Sequence, residues 1–288
     1  MSQANGRYRI VDLSGLKNRK IACLTLDLEQ DYGDLLDEPS YEGLNYIPRL
    51  VELLSRYDLP LTCFVQGSLF ETHPTTIRQL LTLDVEFELH AYSHLRPKEI
   101  DHELEMRKGK GAFTKFFGKE PLAYRSPLGV VSEEMFSLLQ LHGFRFDSSL
   151  VPSFRPGVYS NLTKPTSPYF LNDSDIIEFP GSVFSKVIRI PISLSYVKLL
   201  GKPYLSLLKR KSLPHLIVFG FHLHDLFELS SSSRIPVGSF SPTYRLVFNK
   251  LYRGRKSNGY IMLDEVIAVF REKGYTFSKL VDVYGSIS

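Results

Sequence analysis

The sequence contains no tryptophan, only two cysteines and no apolar stretch that approaches the ~20 residues of a transmembrane helix. Its first residues also lack the apolar core of a secretion signal, so we expect a cytoplasmic protein. Cys23 and Cys63 both lie in apolar runs, which favours buried, reduced thiols over a disulfide or a zinc site.

The sequence also has no large excess of positive or of negative charge. The 288 residues carry a formal net charge of only +4, without a run of basic residues, and this pattern does not predict nucleic-acid binding. An apolar fraction of 43% and a charged fraction of 23% are typical of a soluble globular protein. Because the sequence shows neither an internal repeat nor a linker, we expect a single domain over residues 1–288.

Short apolar runs alternate with amphipathic segments along most of the chain. The predicted strands are residues 20–28, 61–65, 85–89, 123–124, 145–146, 216–221 and 275–277. The predicted helices are residues 45–57, 74–83, 98–117, 132–143, 194–209 and 262–273. Strands and helices that alternate at this rhythm predict an α/β protein with a parallel barrel or a doubly wound sheet.

The alternation lapses in two segments, residues 152–213 and 229–258, and we expect irregular insertions there. Both follow strand ends, where barrel enzymes carry the loops that meet the substrate, so we place them near the active face. The apolar and basic stretch 190–211 allows two interpretations. A helix that covers the barrel is favoured over a surface that makes peripheral contact with a lipid-linked substrate.

Polar clusters stand at the carboxyl ends of four predicted strands. They are Asp27 with Glu29, His90 with His94, Arg125, and His222 with His224. The carboxyl ends of parallel barrel strands form one face, where barrel active sites lie, so we expect these side chains to share a site. One helical turn after the third strand would put both members of the His90–His94 pair on the same side.

These residue types favour metal-assisted hydrolysis. Two imidazoles and a carboxylate hold a divalent ion, for which zinc is the first expectation and nickel, cobalt and iron are alternatives. Such an ion lowers the pKa of a bound water toward ~7 and polarises a carbonyl group. A second carboxylate then takes the proton of the water, and a histidine on the other side protonates the leaving amine.

Taken in order, the clusters resemble the motifs of the polysaccharide deacetylases, the NodB-like carbohydrate esterases. Thr25-Leu26-Asp27-Leu28-Glu29 is similar to the first motif, in the branch where one residue separates the two acids. His90-Ala91-Tyr92-Ser93-His94 resembles the second motif, and Arg125-Ser126-Pro127-Leu128-Gly129 resembles the third. Asp147 looks like the acid of the next motif, and Phe221-His222-Leu223-His224-Asp225 looks like the last one.

The resemblance implies a distorted parallel (β/α) barrel of about seven strands. It also implies that Asp27 is the general base and that Arg125 orients its carboxylate. The histidine of the last motif would be the general acid, supported by Asp147. His222 is slightly favoured for that role because it directly follows the apolar run, and His224 stays open as the alternative.

The metal ligands implied by the resemblance are Glu29, His90 and His94. Asp31 is close enough in sequence to compete with Glu29 for the carboxylate position. The cofactor would then be one divalent ion, Zn²⁺ before Ni²⁺, Co²⁺ or Fe²⁺.

The implied activity is hydrolysis of the N-acetyl group of an amino sugar in a polysaccharide, an oligosaccharide or a glycan precursor. Tyr92 and Pro127, inside the second and third motifs, are the expected substrate contacts. Two alternatives keep the same fold: a metal-independent hydrolase of cyclic amides or ureides, and a barrel that binds a glycan without cleaving it. All the motif acids and histidines are present, which favours the deacetylase.

Overall fold

The structure is a computed structural model that describes residues 8–17, 19–32, 38–94, 100–155, 158–171, 174–227 and 259–287. Its strands are β1 (Lys20–Leu28), β2 (Leu61–Val65), β3 (Val85–Leu89), β4 (Ala123–Tyr124), β5 (Phe146–Asp147), β6 (Phe154–Arg155), β7 (Tyr159–Ser160), β8 (Tyr169–Phe170), β9 (Ile177–Glu178), β10 (Leu216–His222) and β11 (Tyr275–Phe277).

The main sheet is curled and mostly parallel, in the order β10-β1-β2-β3-β4-β5-β9-β8, with β11 paired to β1. Among the described strands of this sheet, β8 alone runs antiparallel to its neighbour. Just after β9, the N–H of Ser182 donates to the carbonyl of Val218 at 3.1 Å, and the Val218 N–H donates to the Ser182 hydroxyl at 2.9 Å. These two hydrogen bonds join the segment after β9 to strand β10. The predicted α/β class and distorted parallel barrel are therefore confirmed, as a curled half-barrel.

The helices are α1 (Ile47–Arg56), α2 (Leu69–Thr72), α3 (Pro74–Gln79), α4 (His102–Phe117), α5 (Glu133–Leu141), α6 (Leu194–Leu200), α7 (Lys202–Arg210), α8 (Gly259–Glu272) and α9 (Leu280–Ile287). Asp101 caps α4 by accepting the Leu104 N–H, and Ser132 caps α5 by accepting the Met135 N–H, as their side chains predict. No described helix has both the length and the apolar character needed to cross a membrane.

Alternate residues of each strand face opposite sides of the sheet. On β1, Leu24 packs outward into the large cluster under the helices, whereas Cys23 packs inward with Phe64 of β2. Leu280 and Val283 of α9 belong to the same inner cluster and fill the amino end of the barrel. The interior is therefore apolar at that end, and the polar residues that follow the strands are left at the carboxyl end.

The first predicted insertion, residues 152–213, contains more regular structure than we expected. It holds four strands of two residues each and the two helices α6 and α7, which Gly201 separates with a φ of 67°. The apolar side chains of these helices, among them Leu194, Val197 and Leu208, are buried in the outer core. The stretch 190–211 is thus mainly a barrel covering. The second predicted insertion, 229–258, lies outside the described residues, and the prediction of a single domain stays a prediction.

Candidate active site

Glu29 brings the two histidines of the second motif together. Its Oε2 lies 2.8 Å from His90 Nε2 and 2.9 Å from His94 Nε2, and the three side chains are almost fully buried. Burial alone would raise the pKa of Glu29, but the charge of His94 and the close contacts with both histidines hold that pKa well below its usual range.

The donor set of this trio suits a divalent metal ion. His90 Nδ1 lies 2.8 Å from the backbone oxygen of Arg125, and because a carbonyl oxygen can only accept, this nitrogen carries the hydrogen. A neutral His90 then presents the lone pair of Nε2 to a carboxylate oxygen of Glu29, which is repulsive unless a proton or a cation lies between them. Metal-ligating histidines usually donate their other N–H to a carbonyl or a carboxylate in this way. One donor atom from each residue of the trio lies within 4.8 Å of the others.

The segment between His90 and His94 is a bend, so the prediction of a helical turn is wrong. Ala91 has a φ of 54°, in the left-handed region that residues with a Cβ rarely adopt. Its carbonyl accepts the Gly67 N–H at 2.9 Å, and a Cβ placed on Gly67 or on Gly109 of α4 would lie 3.1 Å from that carbonyl oxygen. Close packing of two glycines from distant elements therefore shapes the bend.

Glu105 of α4 holds the same bend from the helix side. Its Oε2 accepts the backbone N–H groups of Tyr92 and Ser93 at 2.9 and 2.6 Å, and its Oε1 accepts the Ser93 hydroxyl at 2.7 Å. Sequence analysis missed this residue. The available signal was its position next to Met106 on the buried face of the helix, where an acid needs a partner.

Asp31, the alternative carboxylate, is held away from the histidines. It accepts the Ser40 hydroxyl at 2.9 Å and the Gly43 N–H at 3.1 Å. Burial raises the pKa of Asp31 to about 6 despite these hydrogen bonds. The geometry thus favours Glu29 over Asp31 as the carboxylate of the trio.

Arg125 joins the third motif to the first. Its Nη1 donates to Asp27 Oδ1 at 2.5 Å and to the Thr25 hydroxyl at 3.0 Å. Its Nε and Nη2 donate to the carbonyl and the hydroxyl of Ser148, both at 2.7 Å, and the guanidinium stacks 4.0 Å above the Phe64 ring. These contacts fix the Asp27 carboxylate, whose side chain is partly exposed.

His222 faces Asp27 across the site. Its Nε2 lies 3.6 Å from Asp27 Oδ2 and 3.8 Å from Glu29 Oε1, while its Nδ1 lies 3.1 Å from Asp225 Oδ2. Burial alone would lower the pKa of His222, but the hydrogen bond with Asp225 and the charges of these three acids raise that pKa to about 9. A protonated imidazole is therefore held beside a carboxylate.

His224 lies behind His222 rather than beside it. Strand β10 ends at His222, and a short 3₁₀ turn over Leu223–Asp225 follows it. The two rings stack with centroids 4.6 Å apart, and His224 Nδ1 accepts the Tyr32 N–H at 3.1 Å. Burial and the neighbouring His222 charge lower the pKa of His224 to about 3. The geometry favours His222 as the proton donor.

Asp147 does not take the place that the resemblance gave it. It is fully buried on β5, accepts the Ser149 hydroxyl at 2.7 Å and pairs in register with Glu178 of β9. Burial, together with the neighbouring carboxyl in the case of Glu178, raises the pKa of both acids. Asp225 supports His222 instead, because the 3₁₀ turn brings its carboxylate back to the ring; sequence analysis missed this role.

The two predicted substrate contacts, Tyr92 and Pro127, differ in exposure: Tyr92 is partly exposed and Pro127 is buried. The Tyr92 hydroxyl donates to Glu71 Oε2 at 2.8 Å, and Lys108 Nζ lies 5.5 Å above the Tyr92 ring. Pro127 is buried in the 3₁₀ turn Pro127–Gly129, in which Leu128 has a φ of 59°. Contact with a substrate stays a prediction for both residues.

Part of this chain is similar in sequence to known proteins. Residues 18–146 match the family model for polysaccharide deacetylase. The chain is 30% identical over 125 residues to a peptidoglycan deacetylase of Helicobacter pylori, an alignment that covers 42% of this chain and 43% of the relative. The chain thus matches less than half the length of this curated relative.

The solved structures with a similar fold include active and inactive proteins. A peptidoglycan N-acetylglucosamine deacetylase aligns with a TM-score of 0.54 and 15% identity over 96% of this chain and 93% of its own. A CE4 family pseudoenzyme from Bacillus anthracis aligns with a TM-score of 0.54 and 13% identity over 92% of this chain and 66% of its own. Likeness at this level shows the fold alone.

The curled, mostly parallel sheet, with acids and histidines grouped at its carboxyl edge, defines an α/β protein of the half-barrel class. The family match and the order of the motifs make the similarity specific: residues 18–146 are similar to the polysaccharide deacetylase family.

Proposed function

We propose that this protein is a metal-dependent hydrolase that removes N-acetyl groups from an amino sugar in a polysaccharide, an oligosaccharide or a glycan precursor. One observation carries the proposal: the Glu29, His90 and His94 donor atoms lie within 4.8 Å of one another, and His222 Nε2 lies 3.8 Å from Glu29 Oε1 and 3.6 Å from Asp27 Oδ2. The family match and the peptidoglycan deacetylase among the relatives support the reaction class. A cytoplasmic location stays a prediction.

The trio would hold the ion, and its mixed nitrogen and oxygen donors suit zinc while admitting other first-row metals. A divalent ion bound there supplies Lewis-acid polarisation of the acetyl carbonyl and a water of lowered pKa. His90 is already oriented for this role by the Arg125 carbonyl, and Glu105 holds the bend that carries His94.

Asp27 is the proposed general base. Arg125 binds its Oδ1, which leaves Oδ2 on the side of His222 to take the proton of the attacking water. The guanidinium charge remains in place throughout, so the carboxylate keeps its orientation during the transfer.

His222 is the proposed general acid. Its Nδ1–H is held by Asp225, so the proton on Nε2 faces the space in front of Asp27. When the carbon–nitrogen bond of the acetamide breaks, this proton goes to the leaving nitrogen, and the products are acetate and a free amine.

The test joins metal content to turnover. Purified protein loaded with zinc should hold about one equivalent and release acetate from N-acetylglucosamine oligomers, whereas the His90→Ala, His94→Ala double variant should lose both. The exposed His215, at the opposite end of β10, provides the matched control: His215→Ala should retain metal and activity. Asp27→Asn should retain the metal and lose turnover.

Two results would contradict the proposal. Wild-type protein without metal and without acetate release would support a glycan-binding barrel, and the family pseudoenzyme shows that this fold occurs without activity. An Asp27→Asn variant as fast as the wild type would remove the general base from the mechanism.

A further inference from the structure

Two hairpins stand side by side at the carboxyl edge of the sheet. The first is β6–β7, after β5, and the second spans residues 183–191, after β9, where Val183 bridges Pro191. The Ser153 hydroxyl donates to the Arg189 carbonyl at 2.6 Å, and the Arg189 guanidinium donates to the Lys164 carbonyl at 2.8 Å. These contacts tie both hairpins and the segment after β7 into one surface, which we call the hairpin pair.

The hairpin pair presents apolar side chains to solvent. Val187 is 90% exposed and Phe154 53%, with Ile188 and Leu162 both at 48%. The Ser185 hydroxyl accepts the N–H groups of Val187 and Ile188 at 3.2 and 2.8 Å, so the tip is a closed turn that holds these aliphatic groups outward. Soluble proteins rarely group such residues on one surface unless the surface binds something.

The hairpin pair itself carries only basic charged residues. Residues 152–164 and 183–191 contain no acidic residue, and they contain Arg155, Lys164, Lys186 and Arg189. Lys186 precedes Val187 at the exposed tip, and Lys164 lies at the junction of the two hairpins. The hairpin pair therefore combines protruding aliphatic groups with a positive rim.

We propose that the hairpin pair docks this protein on an anionic lipid bilayer. Aliphatic side chains enter the boundary between headgroups and acyl chains, and flanking basic residues bind the negative surface, as in other proteins that lie on membranes. Stacking on a sugar ring needs an aromatic face, and of these four exposed residues three are aliphatic, including Val187 at the tip, so a lipid surface fits better than a glycan.

Docking in this way has a consequence for the substrate. Both hairpins follow strand ends on the same side of the sheet as His222, so the carboxyl edge would lie next to the membrane surface. An N-acetylated sugar joined to a membrane lipid would reach the site more readily than a dilute soluble one. Docking itself is independent of the proposed deacetylation, and only this choice of substrate rests on it.

Vesicle sedimentation tests the docking. Full-length protein should sediment with vesicles of phosphatidylcholine mixed with phosphatidylglycerol and remain in solution with pure phosphatidylcholine. The Val187→Asp, Ile188→Asp double variant should bind the mixed vesicles roughly tenfold more weakly or worse, because it replaces inserting groups by charges of the wrong sign. Lys186→Glu should weaken binding as well, and added salt should reduce the binding of the wild type.

A matched control uses an exposed leucine elsewhere. Leu141, at the end of α5, is 73% exposed, so Leu141→Asp makes the same kind of change away from the hairpin pair and should bind like the wild type. Thermal unfolding should be unchanged in all these variants because the substituted side chains are exposed.

The outcomes separate docking from catalysis. Equal vesicle binding by the wild type and the Val187→Asp, Ile188→Asp variant would overturn the proposal, as would a wild type that binds neither vesicle. Self-association that the double variant abolishes, without vesicle binding, would assign the surface to a second copy and also overturn it. The double variant should release acetate from soluble oligomers at the wild-type rate, and Asp27→Asn should still bind vesicles.

Discussion

Glu105 accepts both the backbone N–H and the hydroxyl of Ser93, at 2.6 and 2.7 Å. Because His94 is the next residue, we expect Glu105 to control how firmly the trio retains its metal. Glu105→Ala should lower metal affinity by about 10–100-fold, the usual cost of losing a group that orients metal ligands. The metal affinity of Glu105→Gln, which keeps one acceptor oxygen, should lie between that of Glu105→Ala and that of the wild type.

Competition with a chelator measures this effect, and Glu103→Ala is the control because Glu103 is exposed in the same first turn of α4. Equal metal affinity in Glu105→Ala and Glu103→Ala would show that the bend does not depend on the buried carboxylate.

Asp225 should set the alkaline limit of activity. His222 must be protonated to donate, and its pKa is raised to about 9 with the help of the Asp225 hydrogen bond. Asp225→Asn removes that charge and lowers the pKa, so the decline of kcat/KM at high pH should begin at lower pH. Asp147→Asn should leave the alkaline decline of kcat/KM at the wild-type pH. If this decline shifts in Asp147→Asn and not in Asp225→Asn, Asp147 rather than Asp225 supports His222.

The two histidines of the last motif should differ sharply in their importance for turnover. His222→Ala should reduce kcat by about 10²–10⁴-fold, the range expected for a general acid. His224→Asn retains an acceptor for the Tyr32 N–H and should cost far less. A larger loss in His224→Asn than in His222→Ala would reverse the assignment.

A buried acid away from the site should limit stability at alkaline pH. Glu86 accepts the Val281 N–H at the start of α9, and burial raises its pKa to about 8 from 4.5. Between these values the unfolded chain releases a proton that the folded chain keeps, so the free energy of unfolding falls as pH rises through this window.

Glu86→Gln removes the ionisable group. Between pH 5 and pH 8 its free energy of unfolding should therefore fall less than that of the wild type, by on the order of 1–3 kcal/mol. Denaturant unfolding at the two pH values measures the difference. The exposed Glu52→Gln should show no such change.

The sequence predicted the parts of the fold that local pattern determines. The bounds of β2 and β3 agree with the prediction because each is a short, buried, mostly apolar run next to polar residues. The two-residue strands β6 to β9 escaped prediction because pairing with distant segments creates them. The helix α9 was missed because the predictions stopped at Phe277.

In the candidate site, too, local sequence pattern predicted some residues, while contacts with distant parts of the chain determine others. The trio could be found because His90 and His94 follow a strand end and Glu29 follows another. The left-handed Ala91 could not be found, because Gly67 of one loop and Gly109 of α4 shape it from outside. Likewise, the choice between Asp147 and Asp225 depends on a 3₁₀ turn, whose geometry the order of residues does not state.

Arg125 orients two neighbouring residues. Its backbone carbonyl oxygen orients His90, and its guanidinium orients Asp27. Replacing the side chain would therefore disturb the base while sparing the histidine. Inserting or deleting one residue in the third motif would disturb both together, because it moves the carbonyl as well. The orientation of the proposed base thus depends on the side chain at position 125, whereas the orientation of His90 depends on the length of the third motif.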